Sequence, residues 1–168
     1  VWGILARYYF LNNANFWLWG LYGNDKPRGW EAVPVNAKYP EFGARLQIPV
    51  PSGEAAISYH HRIADSREMG NGIDPVGIIP EDRIGIDAKW DRLAGFWIEG
   101  SLTHKREKLG PLTNQLIINA GTDYTFGAGN GLYVAFEQLF ASFNESFSFS
   151  DPVGFSMLSC SYPVGMLD

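Results

Sequence analysis

Residues 42–63, FGARLQIPVPSGEAAISYHHRI, decide the fold. Phe42, Ala44, Leu46, Ile48 and Val50 alternate with positions that hold Arg45 and Gln47, and Glu41 stands just before them. Successive Cβ atoms of an extended chain point to opposite faces, so this period of two describes a strand with one apolar and one polar side. After Pro51-Ser52-Gly53 the alternation resumes. Ala55, Ile57, Tyr59 and Ile63 share one face, interrupted by His61, while Glu54, Ser58, His60 and Arg62 share the other. Two such runs about a short Pro/Ser/Gly turn make a β-hairpin. If Ser52-Gly53 is its two-residue loop, Arg45 pairs with His60, Gln47 with Ser58 and Gly43 with Arg62.

The pattern recurs along the chain. Ile84, Ile86, Ala88 and Trp90 alternate with Arg83, Gly85, Asp87 and Lys89, then a turn at Asp91 to Ala94 leads to Phe96, Ile98 and Leu102 between Trp97, Glu99, Ser101 and Thr103. Leu116, Ile118, Ala120, Tyr124 and Phe126 alternate with Gln115, Asn119, Asp123 and Thr125, and the glycine-rich turn 127–131 leads into Leu132, Val134 and Phe136. Tyr133, Ala135 and Glu137 lie between these. Ile4 to Phe10 and Phe16 to Tyr22 flank an Asn-rich turn, and a last strand runs near Gly154 to Tyr162. The total is about nine strands. The spacing of Leu132, Ala135, Phe136, Leu139, Phe140 and Phe143 also fits a helix. The Asn130-Gly131 entry and the lack of an N-cap favour a strand.

Turn centres at Asn13, Ser52, Leu93, Gly129 and Gly165 are about 36 to 41 residues apart, with one long polar loop between each pair: 24–40, 65–82, 105–112 and 142–152. Short and long connections alternate strictly, as in an up-and-down meander whose two edges differ chemically. A propeller blade would fit four short strands into this period; here each period holds two long ones.

Composition narrows the classes. The 168 residues are 46% hydrophobic, 15% aromatic and 18% charged, with net charge -5 and one cysteine. That is too apolar for a disordered chain, and it leaves no internal disulfide or thiolate zinc site. The cations are scattered, which argues against a nucleic-acid footprint. No run of about 18 apolar residues offers a transmembrane helix, but spanning strands need only about 9 to 11 residues each. Val1 is no initiator and no signal peptide precedes it, so the chain is expected to be processed or part of something longer.

Alternation fits a soluble sandwich and an outer-membrane barrel equally, so the aromatic positions are used to separate them. Phe10, Phe16, Trp90, Phe96, Phe126 and Tyr162 lie near short turns, and Tyr22, Phe42, Tyr59 and Phe136 are assigned to the long-loop end. Between them stand Leu18, Leu46, Ile48, Ile57, Ile86, Ile98, Leu102, Ile118 and Val134. Two aromatic bands about an aliphatic belt match what a bilayer selects. The plainer account is that aromatics favour strands and fall near turns by chance.

With its strands of about ten residues, short turns, long loops and aromatic bands, and with stretches such as FWLWGLY (16–22) and GTDYTFG (121–127), the whole chain resembles bacterial outer-membrane β-barrel proteins of the porin-like type. The resemblance implies an all-β antiparallel up-and-down meander of a transmembrane β-barrel. It also implies a place in the bacterial outer membrane, with the lipid bilayer and small hydrophilic solutes as partners, and leaves a homo-oligomer open. Such barrels have even strand numbers. The count of nine and the Leu167-Asp168 ending, without a terminal aromatic, lead to residues 1–168 being expected as one barrel segment incomplete at both ends. The function so implied is passive diffusion of small hydrophilic solutes through a channel. Two alternatives stay open: a small filled barrel acting as anchor or adhesin, and a soluble β-sandwich that binds carbohydrate.

The lumen-lining candidates are then Arg45, Gln47, Glu54, Ser58, His60, Arg62, Arg83, Asp87, Lys89, Glu99, Thr103, Gln115, Asn119, Asp123 and Glu137. Arg45, His60 and Arg62 would form a cationic strip facing Asp87, Glu99, Asp123 and Glu137. Taken singly, each is better read as an ordinary solvated residue on one face of a soluble sheet. Catalysis and cofactors are not expected. His60 and His61 point to opposite faces and cannot chelate one metal together, no nucleophile elbow or Ser-His-Asp set stands out, and the 127–131 glycines lack the ending of a phosphate loop.

Overall fold

The computed structural model describes residues 1–69 and 77–164. Nine strands form one antiparallel sheet in sequence order: β1 (Trp2–Tyr9), β2 (Asn15–Tyr22), β3 (Glu41–Val50), β4 (Gly53–Asp65), β5 (Ile78–Asp91), β6 (Gly95–Lys105), β7 (Asn114–Phe126), β8 (Leu132–Asn144) and β9 (Val153–Ser161). A single 3-10 turn, Ser66–Glu68, follows β4. Among the described residues no helix is long and apolar enough to cross a membrane. The expected turn at Gly165 and the middle of the second long loop lie outside the described residues.

The expected meander is present, and the segment with two periodicities is strand β8. The sheet is not closed into a barrel: β1 and β9 are its two edges. In a nine-strand meander the first and last strands run parallel, so they could not extend the antiparallel pattern by pairing with each other.

Three details differ from the sequence reading. The hairpin loop is Pro51-Ser52, so Arg45 pairs with Ser58, Gly43 with His60 and Gln47 with Ala56. A proline followed by a residue at positive φ has the signature of a type II turn, and Ser52 has φ 63°. Gly53 is needed for another reason, since a Cβ there would strike the Lys89 carbonyl of β5. The two-residue shift keeps every side chain on its face but dissolves the proposed pairs. Second, strands on the long-loop side run further than the apolar alternation indicates: β5 begins at Ile78, and β8 reaches Asn144. Third, Phe136 lies in the cross-strand row of Trp90, Phe96 and Thr122, well away from the long-loop end, because β8 continues eight residues beyond it.

Relative to the hydrogen-bonded rows, the short-turn tips climb by about one residue per strand from the β1–β2 turn to the β7–β8 turn. With about 3.3 Å of rise per residue and about 4.8 Å between strands, that stagger corresponds to strands tilted by roughly 35–40° from the normal to the line of tips. Levelled for the stagger, Phe136 falls among the aliphatic residues, and Phe140 is the β8 aromatic toward the long loops.

The two faces are inverted relative to a water-soluble domain. One face is bare. Ile57, Ile84, Ile86, Phe96 and Ile98 stand on it between 43% and 57% exposed, with no second layer over them. On the opposite face the largest fully buried side chains include Arg62, Lys105, Glu41 and Glu81. The buried apolar cluster is small, consisting of Val33, Ala64, Ile79 and Leu109 with Met69 and Leu112 packed against it, and it sits at the long-loop end of the covered face.

Candidate functional site

The cover is the connection between β2 and β3. Gly23, Pro27, Gly29, Pro34 and Pro40 keep residues 23–40 from forming strands, while Val33 and Val35 supply apolar contacts. The segment folds back over the polar face as a strap. Val35 bridges Ala64, the Asn36 N–H donates to the Ile63 carbonyl at 2.9 Å and the Asp65 N–H to the Pro34 carbonyl at 2.8 Å. The Asn36 amide donates to Asp65 at 2.8 Å. On the loop side of the His61 row, past the apolar band, hydrogen bonds from Arg67 hold the Asp65 carboxyl down to about 2, with Asn36 adding to the effect. Further on, the Gln115 amide of β7 donates to the Trp30 carbonyl at 3.0 Å, and the Trp30 ring lies 6.4 Å from that of Phe155 on β9.

Charge anchors the middle of the strap. Arg62 on β4 holds Glu81 on β5 through two bonds of 2.6 and 2.9 Å, reaches Glu31 of the strap at 3.0 Å and donates to the Val33 carbonyl at 3.0 Å. Lys105 on β6 approaches Glu81 at 3.4 Å, and Arg83 lies 3.6 Å from both Glu31 and Glu81. Buried charges are tolerated only when paired and hydrogen-bonded, and the planar guanidinium of Arg62 meets that condition with bidentate geometry. Nearer β3, Glu41 receives the Asn24 amide at 3.1 Å and pairs with Arg28. Trp19 donates its indole N–H to Nδ1 of His60 at 3.0 Å, which leaves Nε2 of a neutral His60 as the donor to Glu41 at 3.1 Å. The Trp19 ring lies against Gly43, as the Trp97 ring lies against Gly121; a Cβ at either glycine would strike the indole.

All fifteen lumen candidates share the strapped face, but they divide into groups. His60, Arg62, Arg83, Thr103 and Gln115 belong to the strap's anchorage, where Arg83 also donates to Thr103 at 3.1 Å. Toward the short turns, Arg45 and Asp87 form a bidentate pair at 2.5 and 2.8 Å. Gln47 donates to Glu54 at 2.5 Å, Ser58 contacts the Gly85 carbonyl at 3.5 Å, Lys89 approaches Asp91 at 3.5 Å, and Tyr133 donates to Asp123 at 3.2 Å. Glu99 is exposed, and Asn119 has a buried Oδ1 with no partner. The cationic strip is not free: Arg45 and Arg62 are each neutralised by a carboxylate, and His60 is an uncharged link. Phe16, Phe42, Tyr59, Trp90, Phe96 and Phe136 lie on the bare face by register, with Tyr22 and Phe126 at the ends of their strands. Phe10 and Tyr162 stand just past theirs, and Tyr162 accepts a bond from the Asn130 N–H at 3.3 Å.

No family model, curated protein or solved structure matches the chain.

Sequence reasoning missed Arg28, Trp30, Glu31, Glu41, Glu81 and Lys105 as members of this site. For three of them a signal existed: Glu41, Glu81 and Lys105 continue the polar phase of Gly43, Arg83 and Thr103 by one further step. For the strap residues, only the apolar Val33 and Val35 within a Pro-rich loop hinted at docking. Among the described residues no group of three His, Cys, Asp or Glu side chains could hold a metal ion.

Proposed function

We propose that this chain is part of a β-barrel in the bacterial outer membrane that conducts small hydrophilic solutes by passive diffusion, without chemistry on the solute. One observation carries the reading: aliphatic side chains stand uncovered on one face of the sheet while charged ones are buried on the other. Water would select the reverse, whereas lipid outside and solvent inside select this arrangement. The strand tilt lies within the range of membrane barrels. In this reading β1 and β9 continue into further strands, the bare face meets lipid between the aromatic bands, and the strap narrows the bore. The mixed charges of Arg45, Asp87, Lys89, Glu99, Asp123 and Glu137 line a water-filled wall without strong ion selectivity.

The test is reconstitution of the full-length protein into planar lipid bilayers. Stepwise conductance is expected. Its absence from protein that is folded and inserted would overturn the channel, leaving a filled barrel that acts as an anchor. Stable, monodisperse protein in buffer without detergent would overturn both and favour the soluble sandwich.

A further inference from the structure

The far end of the strap encloses a recess that its anchorage leaves unfilled. Between Arg28–Trp30 and the strapped face of β5 to β8 lies a cavity of about 440 Å³. Four features of its wall point to one class of ligand. The Trp30 side of the strap is fixed by the Gln115 bond to its carbonyl, yet the residue is 52% exposed and offers a flat apolar surface. Asn119, a half-buried residue, lines the cavity, and its amide Oδ1 is buried with no donor to it. The Glu99 carboxylate is exposed to the same space. Arg28 and Arg83 line it as well, with side chains 44% and 28% exposed and guanidinium groups held by Glu41, Glu31 and Thr103.

The charges in and around the recess balance. Arg28, Arg62, Arg83 and Lys105 stand against Glu31, Glu41, Glu81 and Glu99. A site for an ion would leave one sign in excess, and this one does not. Instead it combines an indole, a carboxylate, guanidinium-bearing side chains and a side-chain amide. An indole packs against the C–H face of a pyranose ring, and the fixed polar groups take its hydroxyls in both donor and acceptor roles.

Resting on the channel reading above, we propose that the recess is a binding site for an uncharged sugar, a mono- or disaccharide. Trp30 forms its stacking platform, and Asn119, Glu99, Arg28 and Arg83 are its hydroxyl partners. A sugar held there lies beside the strap and obstructs the ion path while bound.

Maltose is the probe. With the full-length protein in planar bilayers, millimolar maltose is expected to reduce the ion current in a saturable way. Trp30→Ala should raise the half-blocking concentration at least tenfold, and Trp30→Phe, which keeps a ring, should restore most of the block. Asn119→Asp supplies a second probe away from the strap and should weaken the block by turning an amide into a charge. Conductance that maltose leaves unchanged, or a block equal in wild type and Trp30→Ala, overturns the sugar site and leaves the channel standing. Absence of conductance overturns the channel reading alone; maltose-dependent tryptophan fluorescence of detergent-solubilised protein then decides the recess. Saturable change that Trp30→Ala abolishes upholds the site, and no change refutes it.

Discussion

Replacing Ile86 with arginine asks directly what the bare face meets. Ile86 is 57% exposed, pairs with Ile57 and Gly100, and stands midway along β5 between Asp82, in the polar row at one edge of the band, and Trp90 at the other. Each edge is four residues away, about 13 Å along the strand at about 3.3 Å per residue, and about 10 Å along a membrane normal given the tilt. An arginine at that depth lies near the centre of a hydrocarbon band about 25 Å tall and costs about 2–4 kcal/mol, whereas near the interface the cost falls to about 0–1 kcal/mol. In water, a substitution at an exposed site changes stability by less than about 0.5 kcal/mol. The assay is reversible urea unfolding of the full-length protein in phosphatidylcholine vesicles, comparing Ile86→Arg with Ile86→Ala and with Trp90→Arg. We expect Ile86→Arg to lose at least about 2 kcal/mol more than Ile86→Ala, and Trp90→Arg to lose less than Ile86→Arg. A profile with no depth dependence, all three variants within about 0.5 kcal/mol of wild type, would refute the lipid-facing assignment.

Three further outcomes follow from the strapped face and the sheet edge. Arg62→Ala leaves Glu31 and Glu81 buried without their main partner and should cost about 3–5 kcal/mol in the same unfolding assay. Arg62→Met with Glu81→Leu, which removes both charges, should recover part of that loss, and a double variant worse than the sum of the singles would contradict the pairing. Asp65 is held at about 2 in the folded protein against an ordinary 3.8, so its contribution is complete above pH 4 and lost as pH falls through about 2. The loss is at most about 2 kcal/mol, reduced by the half-exposed position of Arg67. Pepsin cleavage of the strap should therefore accelerate between pH 4 and pH 2 in wild type and change less in Asp65→Asn; equal pH dependence in both proteins counts against the latch. Cys160 stands exposed on the bare face opposite Val134. In vesicles it should resist a charged maleimide and react once the protein is unfolded in detergent, because hydrocarbon excludes both reagent and thiolate; rapid labelling of the inserted protein would put β9 in water.

The meander was legible because one physical rule, alternation on a two-sided sheet, operates over almost every strand. The faces of Arg45, Asp87 or Glu137 follow from parity alone. What parity cannot reveal is depth of burial. Arg62 and Arg83 look alike in sequence, two polar-phase arginines beside aliphatic neighbours, yet Arg62 is completely buried and Arg83 is not. The difference is made by Glu31 and Val33, which arrive from a loop about thirty residues away. The strand ends were misread where the alternation breaks: on the bare face the polar row of His61 and Asp82 interrupts it before Ile63 and Ile78, and on the covered face Ala64 and Ile79 replace the polar residues. A pattern that breaks looks like a pattern that stops. The hairpin register failed for a smaller reason, since Ser52 adopts the positive φ that glycine was expected to take.

The strap also orders events in time. The principal strand pairings join sequence neighbours, so the sheet can zip up hairpin by hairpin from local contacts. The strap cannot. The bond that Arg62 donates to its Glu31 closes 31 residues, and the one Gln115 donates to the Trp30 carbonyl closes 85. Closing entropy grows with loop length, and long-range contacts form late. A nascent chain that ends before Asn114 therefore carries the strap with its distal anchor still unmade. Complete docking waits until β7 is in place, so the strap's two anchorages close one after the other, the β4 one first and the β7 one later.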